Sequence, residues 1–236
     1  MPNYKRKRSY RRHPRGFKDS RQRRTLTRTF PNNDMSHFIS RFNPFPNVHY
    51  AELRYCQTIN ISIGNTLDVK KHFFSANSIY DPNKSAALGG QPYGHDQYQQ
   101  LYNHYKVLES YITMTPMGPA TSNTQTGGAY GITLEDQQNT DVTFREISEK
   151  KGSTIAAFGS RNASTTGKLS RSYNCKYFNN NSRLEAEFGS NPLEQMYYGC
   201  FIYASANANN VNTQWIITIN YKCKFWELRD LGTSSL

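Results

Sequence analysis

The chain has 236 residues, 36% hydrophobic, 14% aromatic and only 19% charged, yet it carries a formal net charge of +12. No stretch of about 18 apolar residues occurs, which excludes a membrane-spanning helix. Its four cysteines form no CxxC pair, so neither a disulfide-dense scaffold nor a zinc ribbon is indicated.

The charge is not spread evenly. Twelve of the 29 Lys/Arg residues fall in the first 28 positions: Lys5, Arg6, Lys7, Arg8, Arg11, Arg12, Arg15, Lys18, Arg21, Arg23, Arg24 and Arg28. Asp19 is the sole acid there, so this run carries +11 and leaves +1 for the remainder. Net charge informs about partners rather than fold. Guanidinium and ammonium groups at this density neutralise phosphates and release counterions, and Tyr4, Tyr10 and Phe17 between them can stack on unpaired bases. These twelve residues are the candidate nucleic-acid-binding site. Lys5-Arg6-Lys7-Arg8 would also serve as a nuclear import signal, which implies an import receptor as a further partner. A merely solubilising tail is the reading without a ligand. Residues 1–40 have too few apolar groups to offset their ordering entropy and are expected to be a disordered arm, with residues 41–236 forming a single domain. No apolar segment follows the charged N-terminus, so no signal peptide is expected, and the cysteines are expected to be free thiols.

The domain opens with strict alternation. Ala51, Leu53, Tyr55, Ile59, Ile61 and Ile63 share one face, while Glu52, Arg54, Thr58, Asn60 and Ser62 take the other, which predicts a strand from Tyr50 to Ile63 buried on one side. Gly64-Asn65 ends it, and a strand over Val69 to Phe74 follows closely enough to suggest a hairpin. Residues 75–103, rich in Asn, Gly, Pro and Gln, read as a long surface loop with a helical turn or two from Asp96 to Tyr102. Alternation returns from Lys106 to Thr115, with Leu108, Ile112 and Met114 inward. Tyr130, Ile132 and Leu134 mark another strand after Gly127-Gly128. Thr143 and Glu146 have capping-box spacing, and Gly152 can stop the helix they begin. Leu169, Arg171, Tyr173, Cys175 and Tyr177 suggest a further strand, Tyr197 to Ala204 is almost continuously apolar, and Val211 to Phe225 alternates most strongly of all. Strand-rich sequence with long, uneven connections and little helix fits an all-β class, specifically a single jelly roll: eight strands in a two-sheet, Greek-key sandwich.

Catalytic signatures are missing. HExxH, GxSxG and the phosphate-binding GxxxxGK[ST] do not occur, and the six histidines show no metal-ligand spacing with cysteine. His95-Asp96 reads as part of a solvated loop, and Glu135-Asp136 as an exposed strand end. No catalytic residue, cofactor or metal is therefore expected. Spatially assembled sites escape such a scan, so a hydrolase or lectin on the same scaffold stays as an alternative, as does a basic accessory or ribosomal-type nucleic-acid-binding module.

Two stretches carry a more specific likeness: Phe74-Ser75-Ala76-Asn77-Ser78-Ile79-Tyr80-Asp81-Pro82, and Gly89-Gly90-Gln91-Pro92-Tyr93-Gly94-His95-Asp96-Gln97. With Tyr105-Lys106-Val107-Leu108, Ile112-Thr113 and the terminal Tyr221-Lys222-Cys223-Lys224-Phe225, the chain resembles the capsid proteins of circular, Rep-encoding single-stranded DNA viruses, the group of circoviruses and cycloviruses. The resemblance implies a jelly roll that self-assembles into an icosahedral shell of about sixty copies. It also implies arms that bind the single-stranded DNA genome, a location in the virion and the host nucleus, no membrane insertion and no catalysis. Residues 75–103 and 116–128 are then the expected inter-subunit or outer-surface loops.

Overall fold

The computed structural model describes residues 44–63, 69–85, 90–117, 128–140, 143–158, 167–177, 181–204 and 211–230. The expected arm, residues 1–40, lies outside them, and so does the larger part of the 116–128 loop. Nine strands and two short helices occur among the described residues: β1 (Val48–Ile63), β2 (Val69–Ser75), α1 (His95–Leu101), β3 (Tyr102–Pro116), β4 (Gly128–Glu135), α2 (Phe144–Glu149), β5 (Thr154–Phe158), β6 (Leu169–Asn174), β7 (Glu185–Glu187), β8 (Tyr197–Ala204) and β9 (Val211–Leu228).

The strands form two antiparallel sheets. One has the order β1-β9-β3-β6, with β7 on the same edge of β3 as β6, and the other the order β2-β8-β4-β5. With the three-residue β7 set aside, the first strand pairs with the last, the second with the one before it, the third with β6 and the fourth with β5. That nested pairing is a hairpin folded over twice, which is the jelly roll expected from the sequence. The expected β1–β2 hairpin does not form. β1 instead matches β9 from Val48↔Trp226 to Ile63↔Val211, while β2 matches β8 in the opposite sheet. Period-two patterning shows which face is buried but carries no information about the edge partner.

Alternate residues of both sheets meet in one core. Leu53, Ile59, Ile61 and Ile63 from β1 face Trp215, Ile217, Ile219 and Tyr221 of β9, Ile112 and Met114 of β3, and Tyr130, Ile132, Cys200 and Ile202 of the other sheet. Trp215 packs against Tyr130 with ring centroids 4.8 Å apart. The register between β3 and β9 slips between Val107 and Glu109. This bulge turns Val107 fully inward, so Leu108, expected inside, is only half-buried. β6 likewise stops earlier than its alternation suggests. Asn174 Oδ1 accepts from Lys176 N at 2.9 Å and bends the chain into a 3-10 turn over Cys175–Tyr177.

The helix α2 has the capping box its sequence predicts: Glu146 N donates to Thr143 Oγ1 at 3.3 Å, and Thr143 N to Glu146 Oε2 at 2.7 Å. Gly152 follows at φ +91°, a conformation that favours glycine. The helix lays Phe144 and Ile147 over Val69, Phe201, Ile155 and Tyr203 on the outer side of the four-stranded sheet.

Candidate nucleic-acid interface

None of the twelve cationic residues singled out near the N-terminus falls among the described residues; the surfaces described are those of the jelly-roll domain. Strand register arranges the outer face of the five-stranded sheet in cross-strand rows. Glu52 lies opposite Lys222, Lys222 opposite Glu109 and Glu109 opposite Asn174. Arg54, Asn220, Tyr111 and Ser172 form the neighbouring row, and Lys224, Lys106 and Glu185 another. Acids and bases are largely matched: Lys222 Nζ lies 3.7 Å from Glu109 Oε2, and Lys106 Nζ 3.4 Å from Glu185 Oε1. At the end of the face His104 Nε2 sits 2.9 Å from Glu227 Oε2 and its ring stacks on Trp226, with Lys224 Nζ 5.1 Å from that indole. With its acids and bases matched in this way, the face offers a polyanion little net positive charge.

The outer side of the four-stranded sheet contains a feature the sequence concealed. Glu135, expected at an exposed strand end, is wholly buried, with Lys71 Nζ 2.6 Å from its Oε1 and Lys150 Nζ 3.0 Å from its Oε2. Thr133 Oγ1 also donates to Oε1. Burial alone would raise the pKa of this carboxyl, but the hydrogen bonds from Lys71, Thr133 and Lys150 outweigh it and hold the group below its ordinary value. Lys71 on β2, Glu135 on β4 and Lys150 after α2 thus pin the helix and two strands together. Gly199 leaves the room required, since a Cβ there would stand 2.6 Å from Thr133 Oγ1 and 3.2 Å from Glu135 Oε1. The signal available in sequence was the adjacent pair Lys70-Lys71, since neighbouring residues of a strand point to opposite faces.

His95 also departs from expectation. It begins α1, is 1% exposed, and its Nδ1 lies 3.1 Å from Asp96 Oδ1, with its ring edge-on to Phe188. A helical turn brings the two adjacent side chains together where an extended loop would part them.

The segment 75–83 is not a surface loop. Ser75, Ala76, Asn77, Ser78, Ile79 and Asn83 are completely buried. Asn77 Nδ2 donates to Glu194 O at 2.7 Å while its Oδ1 accepts from Met196 N at 2.9 Å. Ser110 Oγ donates to Ala76 O, Tyr221 OH donates to Ser75 O at 2.7 Å, and Ser78 Oγ donates to Asn191 Oδ1 at 2.8 Å. This run therefore plugs one region of the sandwich with a satisfied polar network, the condition on which buried polar groups are tolerated. Small uncharged side chains without glycine before Pro82 were the signal for burial.

The nucleophilic chemistry of the core is muted. Burial drives the thiols of Cys200 and Cys223 and the phenols of Tyr105, Tyr198 and Tyr221 well above their usual pKa values, and raises that of Tyr55 to about 12. All four cysteines are free, and only Cys56 is exposed. Among the described residues no group of three His, Cys, Asp or Glu side chains is placed to hold a metal ion.

No protein-family model matches the chain, and no curated protein matches it in sequence. Solved structures of similar shape include that of Desmodium yellow mottle tymovirus, at 15% identity, 88% of this chain, 100% of that chain and a TM-score of 0.45. The empty head of turnip yellow mosaic virus gives 14%, 87%, 95% and 0.45 on the same measures. The BFDV capsid protein in a 60-mer gives 10%, 81%, 100% and 0.39. The jelly-roll assignment stands on strand order and register, and these likenesses do not add to it.

Proposed function

We propose that the chain is a viral capsid protein whose jelly roll self-assembles into a closed icosahedral shell and whose residues 1–40 bind and package single-stranded DNA. The observation that carries this reading is the division of charge: +11 on the first 28 residues, beside a near-neutral jelly-roll domain. A near-neutral body can pack against copies of itself without large like-charge repulsion, and heterologous contacts around rotation axes give each surface a partner in a closed shell. The cationic run anchors the polyanion, and Lys5-Arg6-Lys7-Arg8 within it directs nuclear entry through an import receptor. The virion and the host nucleus are the corresponding locations. Catalysis has no part in the reading.

Titration of the full chain and of residues 41–236 with a single-stranded oligonucleotide over a range of salt tests the arm. With about ten phosphates engaged, log K for the full chain falls against log salt with a slope near −7, and the shorter chain binds weakly. Equal slopes and affinities for the two would refute the arm as the anchor and favour a nucleic-acid-binding module built on the body.

A further inference from the structure

A cleft of about 390 Å³ opens on the outer face of the five-stranded sheet, lined among others by Glu52, Glu109, Tyr111, Asn174, Tyr177 and Lys222. Two of its walls are tyrosine rings that folding does not bury: Tyr111 is 46% exposed and Tyr177 82%. Tyr177 is not on a loose loop. It ends the 3-10 turn whose first residue, Cys175, is anchored in the core, and Asn174 Oδ1 closes the turn onto Lys176 N. The rest of the lining is polar and tied together, because Asn174 Nδ2 donates to Glu109 Oε1 at 2.9 Å and Lys222 approaches the other oxygen of the same carboxylate. Glu52, one row position away across Lys222, adds acceptors. Arg54, in register with cleft-lining Asn220, is exposed on the same face and has no carboxylate partner among the described residues.

We infer that this cleft holds one unpaired base of a single-stranded nucleic acid, stacked on Tyr111 and Tyr177 with its edge toward Glu52, Glu109, Asn174 and Lys222. The inference rests on the packaging function proposed above and deepens it: the arm grips phosphates, and the shell domain takes bases. The chemistry favours a base over a bare phosphate, since two carboxylates border the cleft and would repel an anion placed inside it. Base amino groups are donors suited to those carboxylates, while Arg54, exposed on the same face outside the cleft, suits a connecting phosphate. A base paired within a duplex cannot offer its face to two side chains, so the ligand is single-stranded. A cleft of this volume accommodates a small ring system.

The test compares a mixed-sequence single strand with an abasic phosphodiester strand of equal length, each titrated with the full chain at low and at raised salt. Stacking of one base gives roughly a 5- to 150-fold preference for the base-bearing strand. That preference persists at raised salt, where phosphate contacts weaken. Tyr4, Tyr10 and Phe17 in the arm can also stack, so the decisive readout is the variant Tyr177→Ala: the preference falls while affinity for the abasic strand stays as in the native chain. Tyr177→Phe retains the preference. Tyr111→Ala lowers it as well, and the high exposure of Tyr177 keeps the test valid even if Tyr111→Ala perturbs folding. An unchanged preference in Tyr177→Ala overturns the inference. Failure of the abasic strand to bind at low salt counts against the arm, whereas loss of base preference in the native chain counts against the cleft.

Discussion

Replacing Lys71 by Met removes the closest partner of a carboxylate that has no access to water. Lys71 Nζ and Glu135 Oε1 are 2.6 Å apart and both side chains are fully buried. At an effective dielectric constant near 20, two charges at that separation attract by about 6 kcal/mol. Desolvation of both groups offsets much of this, and the usual cost of removing one member of a buried pair is about 3–5 kcal/mol. Lys150 and Thr133 remain beside Glu135 in the variant, which places the expected loss near the lower end, about 3 kcal/mol. For a domain of this size that lowers the unfolding midpoint by roughly 6–12 °C. The assay is urea or thermal unfolding of the full chain at one fixed protein concentration, followed by the fluorescence of buried Trp215. Adding Glu135→Leu to Lys71→Met recovers most of the loss, because the second change removes the stranded charge. The folded pKa of Glu135 is depressed, so the stabilisation is complete above the unfolded value near 4.5 and disappears as the pH falls through the lower folded value. The gap between native chain and Lys71→Met therefore closes in acid. A loss under about 1 kcal/mol at neutral pH, or a double variant no better than the single, would refute the reasoning.

Other consequences follow from the same contacts. Asn77→Ala leaves Glu194 O and Met196 N unpaired inside the plug and costs about 2–4 kcal/mol, read as a lower urea midpoint and faster amide exchange at Met196. Gly131→Ala places a methyl group 2.5 Å from both Thr154 O and the Phe201 ring, so the β4–β5 pairing must shift, with a loss of about 1–3 kcal/mol in the same unfolding assay. A thiol reagent modifies Cys56 alone in the native chain and reaches Cys175, Cys200 and Cys223 only after denaturant is added; more than one reactive native thiol would contradict their burial.

The legible part of this fold was whatever depended on a period. β1, β8 and β9 repeat every second residue, or are apolar throughout, and Thr143 with Glu146 marked the start of α2. What escaped depended on partners distant in sequence. Nothing local to Val69–Phe74 shows that β8 rather than β1 lies alongside, since face and edge are independent properties of a strand. Leu108 was misplaced because one extra residue at the bulge reverses the phase of everything before it. β5 and β7 are five and three residues long, too short for a pattern. Glu135 and His95 carry polar side chains that composition assigns to solvent, and only the lysines from β2 and the end of α2, or a helical turn at Asp96, account for their burial. The candidate site divides the same way. Cation density marks residues 5–28 as a candidate from sequence alone, and they lie outside the described residues, whereas the cleft at Tyr111 and Tyr177 draws on β1, β3, β6 and β9 together, and no single stretch announces it.

Sedimentation of the purified full chain at physiological salt tests the central claim most directly. About sixty subunits of 27.2 kDa predict one sharp boundary near 1.6 MDa, plus the mass of any enclosed nucleic acid. A chain that sediments only as a monomer or dimer across all concentrations and salt conditions would contradict a shell-forming role.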